Sequence, residues 1–243
     1  MTGRPLRQLR PADLFVRWVL ADEIPSVLIE DGDCLGWIGG AEMAGETWAT
    51  ALGPDARTCA RLIERLAERI RIDGVTVPED AFAFLPQTLQ SPDPGHWCFW
   101  VHDSALVPIG DSDAIDLADD DPRIAPLLEH SDSAHIFPGD PRIVRWVGVV
   151  EGDRLLSVAA QRAEVTGAAH IVSVCTVPDR RGEGLARRAC TRIMQRAAAD
   201  GAPAIVLEMY VANDAGRRAY EALGFREVGR YRSGLLRGGG KPR

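Results

Sequence analysis

Between Val174 and Arg188 the chain reads VCTVPDRRGEGLARR: an apolar stretch, a turn with two glycines and the start of a helix. Gly182 and Gly184 carry no Cβ, so the backbone there can turn sharply and approach a ligand closely. A helix that begins near Gly184 presents unpaired amides and the positive end of its dipole, and amides so placed bind phosphate. Arg181 and Arg187 add positive charge beside them. The spacing excludes two common nucleotide sites. A dinucleotide site needs a third glycine where Arg187 stands, and an acid about 20 residues further on for the ribose. A P-loop needs Gly-Lys-Ser/Thr, which does not follow. The cysteines Cys34, Cys59, Cys98, Cys175 and Cys190 show no Cys-x-x-Cys spacing. That argues against a zinc site or a disulfide framework and for reduced, mostly buried thiols. The histidines His96, His102, His130, His135 and His170 show no ligand spacing either, and no metal is expected.

The elements that must position this loop are legible around it. RIVRWVGVV, then Glu151-Gly152-Asp153, RLLSVAAQRAEV, Thr166-Gly167 and AHIVSVCTV read as three antiparallel strands joined by two turns. A helix follows, with Leu185, Ala186, Ala189, Cys190, Ile193, Met194 and Ala197 on one stripe and Arg187, Arg188, Thr191, Arg192 and Gln195 on the other face. Gly201 ends it. PAIVLEMYV is the next strand. Asn213 caps a short helix with an apolar stripe of Ala215, Ala219, Ala222 and Leu223, stopped by Gly224. FREVGRYR is a last strand, and RSGLLRGGGKPR reads as a frayed tail.

The first half carries an echo of the second. VLIEDGDCL resembles VGVVEGDRL, and GPDARTCARLIERLAERIRIDG resembles VPDRRGEGLARRACTRIMQRAAADG. The first version is three residues shorter between Pro-Asp and Asp-Gly and lacks the Gly-x-Gly. Two halves of one architecture, or two ordinary strand-helix units alike by coincidence, both account for this. The cluster HWCFW reads as a buried strand. At 243 residues the chain accommodates one large domain or two, and the 46% apolar fraction supports a sizeable core. No apolar run reaches the length of a membrane span, and the N-terminus lacks a signal-peptide stretch, so a cytoplasmic protein is expected. A net charge of −7 without a basic face argues against a nucleic-acid partner. The densest acidic run, GDSDAIDLADDD, reads as a solvated linker or helix start; attraction of a cationic substrate is the weaker alternative.

The segment downstream of the loop identifies a family. RGEGLA, Arg181 to Ala186, fits the Arg/Gln-x-x-Gly-x-Gly/Ala loop of the GNAT superfamily of acyl-CoA-dependent N-acetyltransferases. NDAGRRAYEALGF, Asn213 to Phe225, fits that family's Asn-x-x-Ala-x-x-x-Tyr-x-x-x-Gly-Phe signature, with Gly216 in place of the usual alanine. The two motifs are separated by a helix and a strand, as in the family. The resemblance spans roughly Ala114 to Arg232, and SVCTVPDRRGEGLA looks closest to a subgroup with an extra, degenerate N-terminal copy. It implies an α/β (α+β) GNAT fold: a mixed, mostly antiparallel central sheet flanked by helices, in tandem. Residues 1–110 would form the degenerate domain and residues 111–243 the catalytic one.

The resemblance also implies site roles. The donor would be acetyl-CoA, with the backbone of Val174, Cys175 and Thr176 holding the pantetheine arm of coenzyme A as a pseudo-strand. Arg181 and the amides of Gly182, Glu183, Gly184, Leu185, Ala186 and Arg187 would hold the pyrophosphate. Asn213 would touch the cofactor near its pantetheine, and Tyr220 would lie close to the thioester sulfur. Direct transfer requires that the amine lose a proton, that the oxyanion be stabilised and that the thiolate leave. Tyr220, on one helical face with Gly216, is the candidate acid for the thiolate. Glu208, the only ionisable residue of AIVLEMYV, is the candidate base. A partly buried strand would raise its pKa towards neutrality. Each has a plainer alternative: a packed tyrosine, a structural glutamate, and for Asn213 an ordinary N-cap. Cys175 lacks a nearby base and reads as a small core residue, not a nucleophile.

The expected activity is transfer of an acetyl or short acyl group to a small-molecule, peptide or protein amine. A non-catalytic acyl-CoA-binding regulator of the same fold is the alternative, and a homodimer is compatible with either. The acceptor groove would lie near Pro122 to His130 and the loop SDSAHIFPGDP.

Overall fold

The computed structural model describes residues 3–39, 45–107 and 112–236. In chain order the first elements are α1 (Leu6–Leu9), α2 (Leu14–Trp18), β1 (Val27–Asp31), β2 (Cys34–Ile38), β3 (Trp48–Leu52), α3 (Ala56–Ala67), β4 (Gly74–Pro78) and β5 (Gly95–Asp103). Then come β6 (Ile115–Leu117), α4 (Ile124–Leu128), β7 (Ile143–Glu151), β8 (Arg154–Ala163), β9 (Ala169–Thr176) and α5 (Leu185–Ala199). β10 (Ala204–Tyr210), α6 (Asp214–Ala222) and β11 (Arg226–Leu235) complete the chain. These elements form two compact units. The first comprises Met1–Cys98, Met209–Ala212 and Val228–Arg243; the second comprises Phe99–Glu208 and Asn213–Glu227. The units interleave along the chain, unlike the single cut between residues 110 and 111 that the sequence suggests, because β5, β10 and β11 are each divided between them.

In the second unit the expected meander is present and is longer by one strand. β6, β7, β8 and β9 pair antiparallel in that order, and β10 pairs with β9 in parallel. Gly152 and Gly167 make the two turns with φ of +57° and +80°, values that favour glycine. α5 packs on β7, β8 and β9 through Leu185, Ala189, Cys190, Ile193, Met194 and Ala197, all buried. Burial of its larger side chains contributes roughly 1.5–3 kcal/mol each. Gly201, φ +80°, ends α5, with Ala202 N–H on Ala197 O and Gly201 N–H on Ala198 O.

β6 is an element the acidic run concealed. Asp113 pairs with Arg188, Asp116 with Arg192 and Arg196, and Asp119 accepts from Trp146 Nε1 at 3.0 Å. The run therefore contains a short edge strand, and its carboxylates pair with the basic face of α5, although most of its described residues remain exposed; its first residues, 110–111, lie outside the described residues. The last strand also extends further than expected. β11 runs to Leu235 and pairs with β4 from Tyr231↔Pro78 to Leu235↔Gly74, so Ser233 to Leu235 are ladder and not frayed tail. Residues 237–243 lie outside the described residues. On α6 the buried positions are Tyr220 and, just past its end, Leu223, whereas Ala215 and Ala222 of the expected stripe are exposed.

The first unit repeats this order. β1, β2 and β3 are antiparallel neighbours, α3 follows, and β4 lies parallel to β3. α3 buries Cys59, Leu62, Ile63 and Leu66 in a core with Ile29, Ile38, Ala49, Val75 and Val77. In the HWCFW strand, Cys98, Phe99 and Trp100 are buried, while Trp97 stacks on Tyr231 with ring centroids 4.5 Å apart. All five cysteines are buried and none is in a disulfide.

Candidate active site

The site is built where β9 and β10 part. Their parallel register runs from Ala169↔Ile205 through His170↔Val206 to Ile171↔Leu207. β9 continues to Thr176 and remains paired with β8 on its other side, through Cys175↔Val158 and Thr176↔Ser157. From Val172 to Thr176 its second edge therefore faces no strand and leaves room for an extended ligand, although the Thr176 carbonyl accepts from Arg181 Nε and the Cys175 carbonyl from Ser157 Oγ. Val174, Cys175 and Thr176, the expected pantetheine contacts, all lie on this edge.

A bulge shapes the open stretch. Between Val158↔Cys175 and Ala160↔Val172, Ser173 and Val174 oppose Ala159 alone. Ser173 takes φ +51°, the one positive φ among described non-glycine residues. Its Oγ donates to Ile136 O at 2.8 Å, which secures an otherwise unfavourable backbone. Sequence reasoning passed over Ser173: VSVC contains no glycine, and the left-handed conformation is imposed by register and by this bond.

Beyond β9 the chain turns through Pro178–Arg180 into the two glycines. Gly182 and Gly184 have φ of +86° and +77°. A Cβ on Gly182 would meet nothing within 4 Å. Gly184 is the N-cap of α5 with no side-chain cap, and the first helical bond is Arg188 N–H to Gly184 O at 3.1 Å. Among the described residues, the amides of Leu185, Ala186 and Arg187 thus have no acceptor, at the positive end of a helix of 15 residues. This cradle fits a pyrophosphate.

The charges around the loop differ in their availability. Arg180 is committed to Glu151 (2.9 Å) and to Glu183 (2.8 Å), which spends the Glu183 carboxylate. Arg187 is exposed and makes no ion pair among the described residues. Arg181 does not point a free charge at the loop: its Nε donates to Thr176 O at 3.3 Å and its Nη2 to His130 O at 3.0 Å.

Tyr220 sits on α6 with 9% of its surface exposed. Its place follows from the end of that helix. Phe225 N–H bonds Tyr220 O and Gly224 N–H bonds Glu221 O, each at 3.0 Å, with Gly224 at φ +87°. The closing turn sets the Phe225 ring edge-on to Tyr220, centroids 5.9 Å apart. Gly-Phe in the signature is thus the device that pins the tyrosine. Among the described residues its hydroxyl has no hydrogen-bond partner. Burial first, and the nearby Cys190 second, push its pKa up, so the phenol stays protonated well above neutrality.

Asn213 caps α6, its Oδ1 accepting from Gly216 N–H at 2.8 Å. A Cβ on Gly216 would stand 2.6 Å from Asn213 Nδ2, so the glycine makes room for the folded-back carboxamide. Glu208 is the first residue of β10 past the paired register, at the mouth of the parting strands. It is exposed, not half-buried as expected. Cys175 is buried, with Sγ donating to Leu127 O at 3.2 Å and its pKa raised by burial, which suits a core thiol and not a nucleophile.

Residues 78–225 match the acetyltransferase (GNAT) family. The chain belongs to that family. Its members generally use acetyl-CoA as the acyl donor, in keeping with the amide cradle. A putative GNAT acetyltransferase from Novosphingobium aromaticivorans is similar at TM-score 0.55 and 23% identity, over 86% of this chain and 89% of that one. A GCN5-related N-acetyltransferase from Kribbella flavida is similar at TM-score 0.56 and 17% identity, over 98% of both chains. A GNAT-family acetyltransferase from Colwellia psychrerythraea gives 0.54 and 14%, over 96% of both. No curated protein matches the chain in sequence. At these identities the structural likenesses establish the fold.

Proposed function

We propose that this GNAT chain transfers an acetyl or short acyl group directly from an acyl-CoA thioester to a primary amine. The carrying observation is the open edge of β9, Val172–Thr176, running into the unpaired amides of Leu185 to Arg187. An extended amide arm that ends in a pyrophosphate matches both parts. When bound, acetyl-CoA supplies an activated acyl group. Val174, Cys175 and Thr176 hold its arm by backbone bonds, and the amides from Gly182 to Arg187 hold the diphosphate. Asn213 keeps one carboxamide N–H₂ for the arm while its oxygen caps α6.

Tyr220, kept neutral by burial, gives its proton to the departing thiolate. Glu208 accepts the amine proton from the mouth of the cleft, directly or through water. The acceptor enters beside α4 and the loop that follows it, and the net charge of −7 favours a cationic amine.

The first unit is read as a degenerate copy. β1–β2–β3–α3–β4 repeats β7–β8–β9–α5–β10 in order and pairing sense, and each copy has three parallel pairs before its strands part. In the first copy, β3 continues only through Ala51 and Leu52, and the Asp55 carboxylate accepts from Thr58 N–H at 2.7 Å. A carboxylate already occupies that helix terminus.

The test is release of free thiol from acetyl-CoA across a panel of amines, beside calorimetric binding of coenzyme A. Amine-dependent release is expected. Binding without acceleration by any amine would leave an acyl-CoA-binding regulator, a reading favoured by the exposed Glu208.

A further inference from the structure

The cofactor strand and its loop are fastened to the acceptor-side segment at three points within the second unit. Cys175 Sγ donates to Leu127 O at 3.2 Å, Arg181 Nη2 to His130 O at 3.0 Å and Ser173 Oγ to Ile136 O at 2.8 Å. The three acceptors are backbone carbonyls spaced along the end of α4 and the loop after it. The outer two donors are neutral side chains of β9 itself, and a ligand on the open edge of that strand does not compete for them. The middle donor is different: it is a guanidinium on the phosphate-binding loop.

We infer that Arg181 is a positioning residue shared between the acceptor segment and the donor's pyrophosphate, and that donor binding draws it off the His130 carbonyl. The inference rests on the acyl-CoA reading of the loop. Arg181 bonds only neutral carbonyls, Thr176 O and His130 O, so its charge is available without breaking an ion pair. Its neighbour Arg180, by contrast, is held by two carboxylates. Both bonds have an ionised donor, but a phosphate adds a full opposite charge and can accept the guanidinium fork in two parallel bonds, so a pyrophosphate on the Gly182–Arg187 amides outcompetes a carbonyl. Released in the middle and held at Leu127 and Ile136, the segment His130–His135 would loosen and admit the amine after the donor is in place. Donor-first binding would then be a property of one side chain.

Backbone hydrogen exchange tests this without knowledge of the acceptor. His130 and Ser131 N–H groups bond Leu127 O and Leu128 O at 3.2 and 2.9 Å, so their exchange reports the state of the segment. In the wild-type chain, saturating coenzyme A is expected to speed exchange over residues 130–135 about tenfold, the scale of one lost hydrogen bond to a charged group. In Arg181→Ala the same amides are expected to exchange faster from the start and to gain nothing from coenzyme A. Arg181→Lys keeps a charge for the pyrophosphate but replaces the fork, whose Nε and Nη2 reach two separate carbonyls, by a single nitrogen on a flexible stem. It is expected to retain most coenzyme A affinity while showing the fast, unresponsive exchange of the alanine variant. Exchange over 130–135 that slows or stays constant when coenzyme A binds the wild type would overturn the inference. So would an Arg181→Lys variant that responds like the wild type. No coenzyme A binding by calorimetry would instead sink the acyl-CoA reading beneath it.

Discussion

In the proposed mechanism the clearest division of labour at the residue scale lies between Tyr220 and Glu208. Tyr220 is buried, pinned on Phe225 and held protonated; Glu208 is exposed at the mouth of the parted strands. An acid that must protonate a thiolate gains from a dry setting, whereas an exposed base can work through water. Tyr220→Phe keeps the ring and its contact with Phe225 and removes only the proton. Turnover is expected to fall on the order of 100-fold, the lower end for a lost general acid, with coenzyme A affinity within a factor of about two. Unchanged turnover in steady-state thiol release would reduce Tyr220 to packing. Because burial raises its pKa, any loss of rate between pH 7 and pH 9 comes from another group. Tyr220 was singled out from its place in a motif, legible because Gly224 is needed for the turn that fixes it, and Glu208 as the only ionisable residue of AIVLEMYV. Ser173 was not legible, since its conformation comes from the register of β8 on β9. Nor was the dual engagement of Arg181, whose partner His130 lies 51 residues away.

At the element scale, β9 does two jobs and is anchored at its closed end. His170, paired across to Val206, is 2% exposed, and its Nδ1 lies 2.7 Å from Glu164 Oε1; Arg162 Nη2 reaches the same oxygen at 2.6 Å. Burial would raise the Glu164 pKa, but the bonds from His170 and Arg162 outweigh it and the carboxyl is held below its usual value. A lowered carboxylate stabilises the fold at pH above its unfolded value of about 4.3, and that contribution is lost as pH falls through the folded value. Glu164→Gln should therefore cost about 3 kcal/mol near pH 7, and the gap from wild type should narrow below about pH 4.3. Thermal melts across pH read this out; a gap that widens in acid would refute it. At the other end of the element pair, Gly184→Asp puts a carboxylate at the α5 terminus and a side chain at φ +77°. The backbone cost is about 1–2 kcal/mol, too small to unfold the domain, while the negative charge occupies the anion site. Coenzyme A binding is expected to vanish with a melting-point loss of only a few degrees; retained affinity by calorimetry would move the site elsewhere. Strand and helix periodicity made β7 to β10 and α5 readable in advance. β6 was hidden because its three residues, Ile115 to Leu117, sit within an acidic run, where composition outweighs pattern.

On the scale of the whole molecule, β1–β2–β3–α3–β4 follows the same order as β7–β8–β9–α5–β10, and the two units interleave along the chain. VLIEDGDCL and GPDARTCARL were legible as strand, turn and helix because their periodicity is local. The ownership of β11 was not legible, because FREVGRYR follows the α6 signature directly and nothing local says that it pairs with a strand some 150 residues earlier. That pairing has a consequence for dissection. β4 carries Val75 and Val77, both fully buried, and its edge away from β3 is closed by β11 from Tyr231 to Leu235. A fragment of residues 1–110 keeps α3 and the strands it covers but loses β11 and its five register pairs with β4. The bared edge, GVTVP, carries three β-branched residues and is a template for pairing between copies. It also loses Tyr231, against which Trp97 and Phe15 pack at 4.5 and 5.3 Å. The fragment is therefore expected to associate and to melt without a cooperative transition. Gel filtration and circular dichroism decide the matter. A monomeric fragment with one sharp unfolding transition would show that this part of the first unit folds without the C-terminal strand, and that the chain is divisible where the sequence alone suggests.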